Sequence, residues 1–138
     1  MIRKLVFALI TLCCFAFLLG AWWYNDRPAF LYPPLPFQTV EKKVVVSHLK
    51  QADGQLIMLG PDENSQYIWG GAKTGSNAVE QLKSILKDAG WSFHEQEGAG
   101  YFFHKGSEKI VITSQMWSRD FVLFKIPSSL DAIFTHTE

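Results

Sequence analysis

The pattern of apolar and polar positions divides the chain into three stretches. Residues 5–24 carry no charge, and their only polar members are Thr11, Cys13, Cys14 and Tyr24. A helix rises 1.5 Å per residue, so about 20 apolar residues cover the hydrocarbon core of a bilayer. This run therefore predicts a transmembrane helix. Residues 25–38 show no period and hold Pro28, Pro33, Pro34 and Pro36, which forbids helix and favours extended polyproline geometry. At about 3.1 Å per residue such a spacer could hold a domain some 40 Å from the bilayer.

Residues 39–127 alternate between the periods of strand and helix. The β-branched run Val44-Val45-Val46 predicts a strand over 39–49. Ala52-Asp53-Gly54 reads as its turn and residues 55–59 as a returning strand, giving an N-terminal hairpin. Residues 60–65 read as a polar loop and 67–69 as a short strand. Val79, Leu82, Ile85, Leu86 and Ala89 recur at helical spacing. Asn77 and Glu80 match a capping box before that helix, and Gly90 can end it in the left-handed conformation. The period then returns to two. Strands are predicted over 91–94, 101–105, 109–117 and 121–126, turning at 97–100, Gly106-Ser107 and 118–120. The expected fold class is α+β: an N-terminal transmembrane helix, then a small domain with an antiparallel sheet built from a hairpin, one helix and a C-terminal meander. The expected organisation is a cytoplasmic N-terminus (1–4), an anchor (5–24), a Pro-rich aromatic spacer (25–38), the domain (39–127) and a tail (128–138) with a short helical turn near 130–134.

Charge sets the orientation. Arg3, Lys4 and the terminal amine precede the apolar run, and Asp26 and Arg27 nearly cancel after it. The positive-inside bias then keeps the N-terminus in the cytoplasm and exports the rest. Trp22, Trp23 and Tyr24 suit the headgroup boundary at the far end. A cleaved signal peptide fits less well: Gly20 could stand at −1, but Leu18 at −3 is bulky. A lipoprotein needs a small residue directly before its Cys, and Leu12 and Cys13 occupy those places. The charge asymmetry and the aromatic end argue against a buried core helix of a soluble protein. The expected localisation is the cell membrane, single-pass, in a bacterial-type envelope.

Setting Arg3 and Lys4 aside, the exported part has 11 Lys and Arg against 13 Asp and Glu, a formal charge of −2. That excludes the electrostatic footprint of a nucleic-acid binder. Both cysteines lie inside the anchor, so the domain has no disulfide.

Candidate chemistry is sparse. Gly71-Ala72-Lys73-Thr74 precedes a helix, but a phosphate loop needs Gly where Ala72 and Tyr67 stand. A flexible strand-to-helix connection is the simpler reading. If the strands around 97–100 pair so that facing residue numbers sum to about 198, His94 faces His104, within reach of a shared metal or proton. A zinc site wants three or four protein ligands. Alternation sends Glu95 to the opposite face, which leaves the two histidines as weak metal candidates on a solvated sheet face. No cofactor is expected. Gly-x-Ser-x-Gly is absent, and no exported Cys can serve as nucleophile. Trp69, Trp91, Trp117 and Tyr101 could stack on a sugar, though large aromatics more often fill small cores.

Phe30, Leu31, Tyr32, Leu35 and Phe37 are too many apolar groups for a bare spacer. They rest on the membrane surface or on the domain, or else Phe30, Tyr32 and Phe37 dock into a partner's aromatic groove. The resulting expectation is a non-catalytic, membrane-anchored binding or accessory module with a protein partner in the envelope. An exported ligand or metal binder, and a hydrolase with an unrecognised site, are the alternatives.

Overall fold

The computed structural model describes residues 1–25 and 27–135, with the side chains of Tyr24 and Asn25 outside that description. The chain forms two compact units, Met1–Tyr32 and Pro33–Glu138.

The first unit contains α1 (Ile2–Asn25), of 24 residues and about 36 Å at helical rise. Over Ile2–Trp23 it is long and apolar enough to cross a membrane, and none of its most apolar window is buried by protein. Thr11 satisfies its hydroxyl by donating to the Phe7 carbonyl one turn back. A 3-10 turn, Ala29–Leu31, follows Pro28.

The second unit holds α2 (Lys42–Gln51), β1 (Ile57–Pro61), β2 (Tyr67–Lys73), α3 (Ala78–Asp88), β3 (Ser92–Glu97), β4 (Gly100–Lys105), β5 (Glu108–Met116), β6 (Phe121–Pro127) and α4 (Asp131–Thr135). The six strands make one antiparallel sheet in the order β1-β2-β6-β5-β4-β3. The fold is α+β, with the meander β3 to β6 as expected. The meander is widened because β2 adds to the far side of β6, pairing Tyr67 with Pro127 through to Lys73 with Phe121.

Residues 39–49 are not a strand. Lys42–Gln51 is a helix, and Val45, Val46 and Leu49 are buried along one side of it while Val44 faces out. Three valines favour strand only weakly, and burial of a helical face outweighs that preference. The turn at Ala52-Asp53-Gly54 is real, with φ of +46° at Asp53 and +89° at Gly54, but it ends α2. The N-terminal hairpin is made one element later, by β1 and β2. Gly60 and Pro61, expected in a loop, belong to β1. Gly71 to Lys73, expected in a flexible connection, belong to β2.

The α3 boundaries follow the sequence more closely. The Trp91 N–H donates to the Leu86 carbonyl at 2.9 Å, and the Gly90 N–H to Lys87 at 2.9 Å, with Gly90 at φ +88°. That is a Schellman ending, and its apolar contact is the pair Trp91 and Leu86, both in the core. The capping box does not form. Asn77 lies at φ −84°, ψ 26°, outside the extended geometry that lets a cap side chain reach forward, and Glu80 pairs with Lys83 at 3.1 Å. Gln81 accepts from the Leu56 N–H at 2.9 Å and donates to the Gly54 carbonyl at 3.3 Å, which ties α3 to the approach of β1.

The sheet buries both faces at its centre. One face packs under α3 and α4, through Leu82, Leu86, Phe103, Ile112, Phe124 and Ile126. The other is covered at β1, β2 and β6 by α2 and by the segment before it. Phe37 is 1% exposed and stacks on Trp69 at 5.4 Å between ring centroids. The Trp117 indole N–H donates to the Pro34 carbonyl at 3.1 Å. Thus the far end of the Pro-rich stretch is part of the folded unit. Strand β6 has buried residues on both faces, Phe121 and Leu123 against Phe124 and Ile126, which explains its nearly unbroken apolar sequence.

Gly71 shows how closely α2 approaches. A Cβ there would lie 2.8 Å from Leu49 Cδ2, 2.9 Å from Leu59 Cδ1 and 3.2 Å from Leu123 Cδ2. Gly71→Val is therefore predicted to destabilise the domain by about 1–3 kcal/mol through overpacking. Thermal unfolding of the detergent-solubilised chain, followed by near-ultraviolet dichroism, should show a midpoint several degrees lower. An unchanged midpoint would mean that α2 does not pack this tightly.

Candidate functional site

The uncovered half of the sheet and a groove beside β1 both combine exposure with chemistry. The uncovered half comprises β5, β4 and β3 on the face opposite α3. Register places Thr113, Val111, Phe102, His104 and Glu95 on it. Val111 is 38% exposed, and Phe102 and His104 are half-buried. All six residues of β3, the edge strand, are exposed.

The histidines meet here by a route that differs from simple pairing. The β3–β4 turn is the two-residue Gly98-Ala99, with Gly98 at φ +55°, and Glu97 pairs with Gly100. Facing numbers next to the turn therefore sum to 197. A bulge between Phe93 and Glu95 shifts the register again, so His104 pairs with Ser92 and His94 is the extra residue. The bulge nevertheless brings the imidazoles together, with ring centroids 4.5 Å apart and planes 20° from parallel. It also turns Glu95 to the same face, against the expectation from plain alternation. Glu95 Oε1 lies 3.7 Å from His94 Nε2, and both side chains are more than half exposed. Phe93 goes the other way, meeting Phe103 edge-on at 5.6 Å with the Lys83 ammonium 4.3 Å from its ring.

Stacked rings present their faces to each other rather than converging lone pairs on one point. Among the described residues no set of three or more His, Cys, Asp or Glu side chains is placed to hold a metal ion. The bulge is the signal that sequence reasoning missed. It leaves no mark in the pattern of β3, because every residue there is solvated on at least one side.

The groove, of about 670 Å³, lies between the end of α2, α3 and α4, with Leu56, Ile57 and Met58 along its floor. His48, Gln81, Ile85 and Phe134 line its walls. It was not legible beforehand because it depends on α2, which the sequence pattern placed in a strand.

The remaining sequence candidates fall in defined places. Trp69, Trp91, Trp117 and Tyr101 are all buried, as core aromatics and not as an exposed stacking platform. Phe37 is buried against Trp69, and Tyr32 is buried too, whereas Phe30 is 73% exposed. Trp22 and Trp23 stand exposed on the last turns of α1, and the Tyr24 side chain lies outside the described residues. Lys73 and Thr74 sit at the end of β2, where the Thr74 N–H donates to the Asp120 carbonyl at 2.8 Å, so no open phosphate loop forms. Among the described residues no charged side chain is buried. Comparison with protein-family models, curated proteins and solved structures gives no match to this chain.

The stacked geometry predicts that zinc, added at tens of micromolar to the full chain in detergent, gives no saturable heat by calorimetry. A one-to-one isotherm that disappears in His94→Ala and in His104→Ala would contradict it and make the pair a metal site.

Proposed function

We propose that the chain is a single-pass membrane protein of the cell envelope, whose exported α+β domain is a non-catalytic module that binds another protein. The observation that carries this reading is the unburied apolar surface of Ile2–Trp23. Such a surface needs lipid as its solvent, and a domain tied to it by a few residues works at a membrane. Arg3 and Lys4 before the helix favour a cytoplasmic N-terminus and an exported domain.

The binding surface in this reading is the uncovered half of the sheet, from edge strand β3 across Phe102 and Val111. Its partly exposed apolar centre is ringed by His94, Glu95, Lys109 and Thr113, the arrangement of a small protein contact with a polar rim. The bulge in β3 makes pairing of a strand to that edge less favourable, which directs a partner to the face instead. A second reading, a small-ligand module, draws on the groove lined by His48, Met58, Ile85 and Phe134.

Site-specific photo-crosslinking in the native membrane separates the two. A benzophenone side chain at Val111 is predicted to give a discrete adduct, and one at Ile85, in the groove, none. An adduct at Val111 that is lost when Phe102→Asp is added supports the face. Absence of any adduct at Val111, with small-molecule protection of the groove against thermal unfolding, would favour the ligand reading instead.

A further inference from the structure

The apolar residues that follow α1 are not one group. Phe37 is 1% exposed and belongs to the domain core, while Phe30 and Leu31 are 73% and 56% exposed. Those two are carried on a formed 3-10 turn. The Leu31 N–H donates to the Pro28 carbonyl at 3.1 Å and the Tyr32 N–H to the Ala29 carbonyl at 3.3 Å. Pro28, at φ −67° and ψ 151°, fixes the entry to the turn. Two large apolar side chains are thus displayed from an ordered backbone whose own polar groups are partly satisfied.

We propose that Phe30 and Leu31 make a second lipid contact, in the headgroup region of the bilayer that α1 crosses. The proposal rests on the membrane reading of α1. A helix of about 36 Å exceeds a hydrocarbon core of about 30 Å, so its last turn, with Trp22 and Trp23, lies in the headgroup layer. Only residues 26–28 separate α1 from the turn, and at about 3.5 Å each they cannot carry it far. Exposed Phe and Leu at that depth partition into the interface, as the apolar side of an interfacial anchor does. Continuity with α1 favours lipid over a protein groove. One consequence concerns the spacer. The Pro34 carbonyl is already engaged by Trp117, so the free extended length is much shorter than the proline content of residues 25–38 implies.

The test uses the full-length chain with Cys13→Ala and Cys14→Ala, in vesicles of phosphatidylcholine and phosphatidylglycerol. An environment-sensitive fluorophore is placed at Leu31→Cys, and in separate samples at Trp22→Cys and Asn64→Cys. The Leu31 probe should be quenched at least twofold more by a lipid-borne nitroxide near the headgroups than the Asn64 probe, and less by aqueous iodide. Adding Phe30→Asp should reverse that difference. If the Leu31 probe behaves like Asn64 while Trp22 is lipid-quenched, the second contact is wrong and the anchor stands. If the Trp22 probe is also open to iodide, both fail. Shielding of Leu31 from iodide and from lipid quencher alike would mean a protein contact, and would overturn the proposal.

Discussion

Water is a poor solvent for the surface of α1. More than a dozen large apolar side chains project from this helix without protein cover. Fully burying each contributes about 1.5–3 kcal/mol, so leaving them hydrated costs on the order of tens of kcal/mol. The whole net stability of an ordinary domain is only about 5–15 kcal/mol. Nothing in the folding of residues 33–135 could compensate for that exposure. Either lipid or another apolar body covers α1. The proposed anchor takes the first, in keeping with a helix whose apolar surface runs all round and whose far end carries adjacent tryptophans.

The domain solves a different problem. A six-stranded sheet with buried residues on both faces of β2 and β6 needs cover on both sides. One side uses α3 and α4. The other uses α2 and the short Pro-rich segment, whose Phe37 stacks on Trp69 and whose Pro34 carbonyl takes the Trp117 indole proton. That cover stops at β6. Beyond it, β5, β4 and β3 face outward with modest apolar groups, and the bulge at His94 blunts the outer edge. This uncovered half-sheet is the face proposed to bind a partner.

Parts of this were legible in the residues. The helix α3 and its Gly90 ending could be read because burial, period and stop signal agree. The meander could be read because Tyr101 with Phe103, and Ile110 with Ile112, alternate cleanly with outward residues. Helix α2 could not, since three consecutive valines carry a strand preference that the spacing of Val45, Val46 and Leu49 only quietly opposes. The pairing of β2 with β6 is a long-range choice that no local pattern records. The histidine pair was half legible: proximity followed from a hairpin, but the two-residue turn and the bulge changed which residues face which. The bulge also moved Glu95 to the histidine side. The polyproline reading of residues 25–38 failed to separate apolar groups that enter the core from those that stay exposed, because composition alone does not distinguish Phe30 from Phe37.

The central claim is that lipid solvates α1, and the most direct measurement is flotation of the native chain. Membranes from cells making the untagged protein are stripped at alkaline pH, then layered under a sucrose gradient without detergent. The chain should rise with the lipid fractions, and a variant with Leu9→Arg and Leu12→Arg should lose much of that association. Recovery of the intact native chain in the soluble fraction, before any detergent is added, would contradict the claim and remove the placement of the domain with it.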